Sequence, residues 1–116
     1  MRIALAPALV GLLLGCGGEH DVLAGDAERG KRLLHEYGCA ACHTIPGVRG
    51  AAGNTGPPLT GIARRVYLGG VLPNTPQNMA HWISGPQRFD PLTRMPDLGV
   101  AEADARDMVA HLYTLN

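Results

Sequence analysis

The chain has 116 residues, with ten Lys+Arg balanced by ten Asp+Glu, three Cys and only 4% aromatic side chains. A formal charge of zero excludes the basic footprint that a nucleic-acid partner demands. The length suits one domain, whose core would be marginal with so few aromatics unless something other than side chains supplies apolar volume.

Met1-Arg2 is a short basic start, and Ile3 to Leu14 is a twelve-residue run without charge. Such a run is too short to cross a bilayer, which takes about twenty apolar residues, and suits a signal peptide over residues 1–15. Leu13-Leu14-Gly15-Cys16 closes it and resembles the lipobox of bacterial lipoproteins, which implies that Cys16 is lipidated and becomes the new N-terminus. An ordinary signal peptide with an incidental cysteine is the alternative. Residues 16–25 then form a flexible tether spanning roughly 15 to 20 Å, with His20 as a solvated linker residue. The expected location is the periplasmic side of the membrane, exported and lipid-anchored. Loss of residues 1–15 removes Arg2 and no acid, leaving nine basic against ten acidic residues, a formal charge of about −1.

The domain expected over residues 26–116 opens with Asp26, a good N-cap, and Gly30, Leu33, Leu34 and Tyr37 then fall on one helical face before Gly38 stops the run. Gly30 in mid-helix costs about 1 kcal/mol relative to Ala, so it marks a place where another helix crosses at close range. Immediately afterwards comes Cys39-Ala40-Ala41-Cys42-His43. C-x-x-C-H is the pattern for covalent attachment of a c-type haem, with two thiols bonded to the ring and the adjacent imidazole on the iron. A zinc site needs a second ligand pair and a thioredoxin-like redox pair needs a βαβ frame; the sequence offers neither. One haem c also supplies the apolar volume that the composition lacks.

A short helical candidate lies between Leu59 and Tyr67, followed by a loop over Leu68 to Pro73. Thr75-Pro76 starts a further helix that ends at Gly85-Pro86, with Met79, Trp82 and Ile83 on its inner face. A last helix is expected from Ala101 to Leu115, with a weak N-cap and a stripe of Met108, Leu112 and Leu115 that pairs with the first helix. His35 and His111 read as ordinary surface or boundary imidazoles. The porphyrin fills four iron positions and His43 a fifth. For the sixth, Met95 lies in Pro91-Leu92-Thr93-Arg94-Met95-Pro96, a proline-stiffened loop that can present a thioether, which suits electron transfer. Met79, on an apolar helical face, is the second candidate, and His81 or an open position remain as further alternatives.

Taken together, Gly30, the C-x-x-C-H motif, Thr55-Gly56-Pro57-Pro58-Leu59, Trp82, Pro86, the Met95 loop and the final helix resemble class I cytochrome c over nearly all of residues 25–116. The resemblance implies an all-α cytochrome c fold of three to five short helices round one haem. It implies that the Pro57 carbonyl accepts the other N–H of His43, that Arg65, with Arg64 as the adjacent option, holds a haem propionate, and that Trp82 lines the pocket. Asn74 to Met79, Trp82-Ile83 and Pro86-Gln87 most resemble the c-type domains attached to, or working beside, subunit II of haem–copper oxidases. The implied function is one-electron transfer between respiratory partners, such as a quinol-oxidising complex and a haem–copper oxidase, with no small-molecule substrate. A small haem enzyme or sensor with a labile sixth ligand, or a dedicated subunit of a larger complex, are the alternatives. Arg49, Arg88 and Arg94 near the haem-binding segments, against Glu102, Asp104 and Asp107 on the last helix, further suggest a charge dipole that steers docking.

Overall fold

The computed structural model describes residues 24–116. The expected signal peptide, the lipidation site Cys16 and all but the last two residues of the tether lie outside the described residues. The fold is mainly helical, with α1 (Ala27–Glu36), α2 (Pro76–Ser84), α3 (Glu102–Leu112) and one two-stranded sheet of β1 (Tyr67–Leu68) and β2 (Leu72–Pro73). Three single turns of 3₁₀ helix punctuate the connections, at Cys39–Ala41, Ile62–Arg64 and Pro86–Arg88.

The Asp26 carboxylate caps α1 by accepting the Arg29 N–H at 2.9 Å, and Glu28 sits in the first turn, where the helix dipole favours an anion. Leu33 and Leu34 are buried. Gly38, at φ 83°, takes the left-handed conformation that closes the helix, and the chain passes straight into the turn at Cys39–Ala41. The motif is thus mounted on the end of a capped helix. In α2 the Thr75 hydroxyl accepts the Asn78 N–H at 3.1 Å, and Pro76 fills the first helical position, where no N–H is needed.

The last helix is shorter than its sequence suggests. Thr114 Oγ1 donates to the His111 carbonyl at 2.6 Å, and the Ala63 N–H reaches the Leu115 carbonyl at 3.1 Å, so the chain leaves the helix to pack against the turn at Ile62–Arg64. Ala101 supplies no side-chain cap, as its residue type dictates. The expected helix between Leu59 and Tyr67 contracts to that single turn. The loop expected over Leu68 to Pro73 contains a hairpin with Leu68 opposite Leu72. Gly69 and Gly70 turn it with φ of 55° and 74°, values that a Cβ would oppose.

Helices α1 and α3 cross at backbone contact. A methyl group on Gly30 would overlap the carbonyl of Asp107, which is the close crossing that a mid-helix glycine implies. Asp107 and Asp104 lace the crossing from the α3 side. Asp107 accepts the Asp26 N–H at 2.8 Å and pairs with Arg29 at 2.6 Å, while Asp104 pairs with Arg29 at 2.7 Å and accepts the Tyr37 hydroxyl at 2.7 Å. Behind it Ala105, Met108 and Val109 are wholly buried against Leu33, Leu34, Ile45, Met79 and Ile83. These ion pairs also alter the expected docking dipole. Arg29 pairs with two of the three acids at its negative end and offsets one of their two charges.

Candidate haem site

Cys39 and Cys42 are free, half-buried thiols, and burial pushes the Cys39 thiol above its ordinary range. The next residue, His43, is positioned from the opposite strand of chain. The Gly56 N–H donates to the Cys42 carbonyl at 2.7 Å and the Leu59 N–H to the Thr44 carbonyl at 2.8 Å, which fastens Gly56–Leu59 alongside the motif. Gly56 then lies flat against the imidazole. A Cβ there would meet His43 Cε1 at 2.5 Å and Nδ1 at 2.9 Å, so only glycine admits this approach.

His43 Nδ1 lies 2.6 Å from the Pro57 carbonyl oxygen. A carbonyl only accepts, so Nδ1 carries the proton and Nε2 is left with a free lone pair, the form in which an imidazole ligates a metal. Arg65 sits against the same segment, donating to the Pro58 carbonyl and to Thr60 at 3.4 Å. Arg64, the alternative, is exposed. The Arg65 turn is held from behind by Asn74, whose amide donates to the Arg65 carbonyl at 2.8 Å and to that of Ile62 at 2.9 Å while accepting the Tyr113 hydroxyl at 2.6 Å. Trp82 is buried with its ring packed on the hairpin, where a Cβ on Gly69 would meet the indole at 2.6 Å.

The alternatives for the sixth iron position fall into distinct environments. Met79 is 2% exposed and part of the core. The His81 ring nitrogen Nε2 is engaged by Gln77 at 2.8 Å on the outer face of α2. His35 is exposed, with Nδ1 facing the Arg49 carbonyl at 3.0 Å, whereas His111, expected at the surface or boundary, is buried, with Nε2 facing the Pro46 carbonyl at 3.4 Å. Met95 is half-buried in its loop, its carbonyl accepting from Gln87 Nε2 at 2.7 Å and its N–H donating to Thr93 Oγ1 at 3.3 Å. Sequence reasoning passed over Gln87 and Asn74 as structural elements, because neither periodicity nor a local motif reports a side-chain bond to a distant carbonyl.

These residues fit a haem. The donor set is two unpaired thiols, an imidazole with its Nε2 free, and a thioether on a separate loop. Of the large apolar side chains left exposed among the described residues, Val66, Tyr67 and Val71 lie at the hairpin and Leu92 and Leu98 flank Met95, and none belongs to the three helices. A porphyrin brings two apolar faces of the kind that such side chains cover.

Fold and site together define a c-type cytochrome. The cytochrome c family model matches residues 27–116, and the chain belongs to that family: it is an electron-transfer protein carrying one covalently bound haem c. The chain is also similar to a protein named cytochrome c oxidase subunit 2 from Alkalihalophilus pseudofirmus, with 31% identity over 90 residues. That match covers 77% of this chain and 25% of the relative, so the chain spans about a quarter of the relative's length.

Proposed function

We propose that this protein is a membrane-tethered electron carrier that donates electrons to a terminal haem–copper oxidase, with His43 and Met95 as the axial iron ligands and Cys39 and Cys42 as the points of attachment. The observation that carries the ligand assignment is the bond from His43 Nδ1 to the Pro57 carbonyl, which leaves Nε2 as a lone-pair donor held in one orientation. When bound, haem c supplies a one-electron Fe(II)/Fe(III) couple. His43 provides a basic, oriented imidazole. Met95 provides a soft thioether that favours the ferrous state and so raises the potential. Arg65 holds a guanidinium beside the Pro57–Pro58 segment, where it balances a carboxylate of the cofactor.

The oxidase as acceptor is supported by the similarity to cytochrome c oxidase subunit 2. The tether is supported by the Leu13-Leu14-Gly15-Cys16 sequence, whose resemblance to a lipobox favours lipidation of Cys16 and a periplasmic location. Two acyl chains or more hold such a protein stably, where one binds only marginally. The test is Met95→Ala in the holoprotein. It is expected to keep its haem, lose the methionine–iron charge-transfer band, bind carbon monoxide and show a lower potential, while Met79→Leu leaves all four unchanged. A Met95→Ala spectrum identical to wild type would reject the assignment.

A further inference from the structure

We infer that Gln87 is the positioning residue that holds Met95 in place as an iron ligand, an inference that rests on the ligand assignment above. The amide of Gln87 lies 2.7 Å from the Met95 carbonyl oxygen, and because that oxygen only accepts, the contacting arm is the NH₂. The other arm, Oε1, is buried and has no hydrogen-bond partner among the described residues. The donor arm is aimed at the Met95 carbonyl and makes a bond there that a leucine of similar volume could not.

The anchor behind this bond is rigid. Gln87 stands in the turn Pro86–Arg88, directly after the wholly buried Pro86, and the turn is closed by Phe89 N–H to the Pro86 carbonyl at 3.0 Å and Arg88 N–H to the Gly85 carbonyl at 3.1 Å. The Met95 loop has a turn of its own upstream, where Asp90 accepts the Thr93 N–H on its carbonyl and the Leu92 N–H on its carboxylate, each at 3.1 Å, and Gln87 is what ties Met95 itself to the Pro86–Arg88 turn. The adjoining Pro96 has no N–H, and both backbone polar groups of Met95 are held by side chains, Gln87 on the carbonyl and Thr93 on the N–H. Gln87 thus transmits the position of the core to the loop that carries the thioether.

The experiment measures imidazole binding to the ferric holoprotein, in which the added ligand competes with Met95, together with the charge-transfer band. Gln87→Leu removes the donor, and Gln87→Glu keeps the shape without an N–H on the contacting arm. Each is expected to raise imidazole affinity about five- to tenfold, the effect of one lost hydrogen bond, and to weaken the band. Gln77→Leu, which removes a similar amide bonded to His81 on α2, is expected to leave affinity and band at wild-type values. If Gln87→Leu is not recovered folded, Gln87→Glu carries the test alone. Wild-type affinity in the Gln87 variants, beside a large rise in Met95→Ala, overturns the role of Gln87 and leaves the ligand assignment standing. An equal rise in Gln77→Leu also overturns it, because general loosening then explains the effect. Wild-type affinity and an intact band in Met95→Ala overturn the ligand assignment and the inference together.

Discussion

Gly30→Ala makes the sharpest test of how the domain is held together. A new Cβ would overlap the carbonyl of Asp107 and lie 2.8 Å from the Met108 nitrogen, and these are backbone atoms of α3 that cannot rotate aside. To regain ordinary contact α1 and α3 must separate by roughly 1.5 Å, a degree of overpacking that costs about 1–3 kcal/mol. The separation also stretches the Asp26, Arg29 and Tyr37 bonds to Asp104 and Asp107. Against this stands about 1 kcal/mol gained from the better helix propensity of alanine. The balance is a loss of about 1–2 kcal/mol, a substantial share of the 5–15 kcal/mol typical of a domain. At about 4–8 °C per kcal/mol for a domain of this size, the Tm falls by about 4–16 °C. Thermal melts of the holoprotein followed by far-UV circular dichroism measure it. A Tm equal to or above wild type would show that the crossing is not tight, since an uncrowded helical Gly→Ala change stabilises.

Gly56→Ala should push the His43 ring off the Pro57 carbonyl, because the methyl meets Cε1 at 2.5 Å; the potential and the ferric spectrum are expected to change while the haem stays covalently attached. Acid stability should depend on Asp104 and Asp107, whose carboxyls are held below their usual range, Asp104 by the Tyr37 hydroxyl and then Arg29, Asp107 chiefly by Arg29. Their pKa values are lower folded than unfolded, so their contribution is complete above about pH 4 and is lost as pH falls further. Tyr37→Phe should then move the acid-unfolding midpoint to higher pH, whereas an unchanged midpoint in a pH titration would remove Asp104 from the account. Cys16→Ser should abolish incorporation of labelled fatty acid without altering the haem spectrum, and absence of label on the wild-type protein would reject the lipid anchor.

Much of the site was legible because it is local. C-x-x-C-H and the capping residues Asp26 and Thr75 act within one turn of themselves, and Gly30 betrays a helix crossing by residue type alone. The Pro57 carbonyl was reachable only through the resemblance, since nothing in a proline's own sequence context says whose N–H its carbonyl accepts. The hairpin at Tyr67–Pro73 escaped because strands of two residues have no periodicity to read. The end of α3 was misplaced for a different reason: Leu112 and Leu115 do continue a helical stripe, but Thr114 and Ala63 compete for the backbone there. The acids of α3 read as a free negative pole in sequence because Arg29, which pairs with Asp104 and Asp107 but not Glu102, lies 75 residues away from Asp104 in the chain.

The lacing of Asp26 to Asp107 decides where a load on the N-terminal chain enters the domain. Whatever precedes residue 24 joins the domain beside the point where the Asp26 N–H is bonded to α3 at 2.8 Å and Gly30 is pressed against the Asp107 carbonyl. Tension applied through the N-terminal chain as the domain diffuses or docks is therefore delivered to the α1–α3 junction, which resists it with two ion pairs and a sealed core. Gly56–Pro57 and the Met95 loop are not part of that junction, so a load entering there meets the α1–α3 crossing before it reaches either segment.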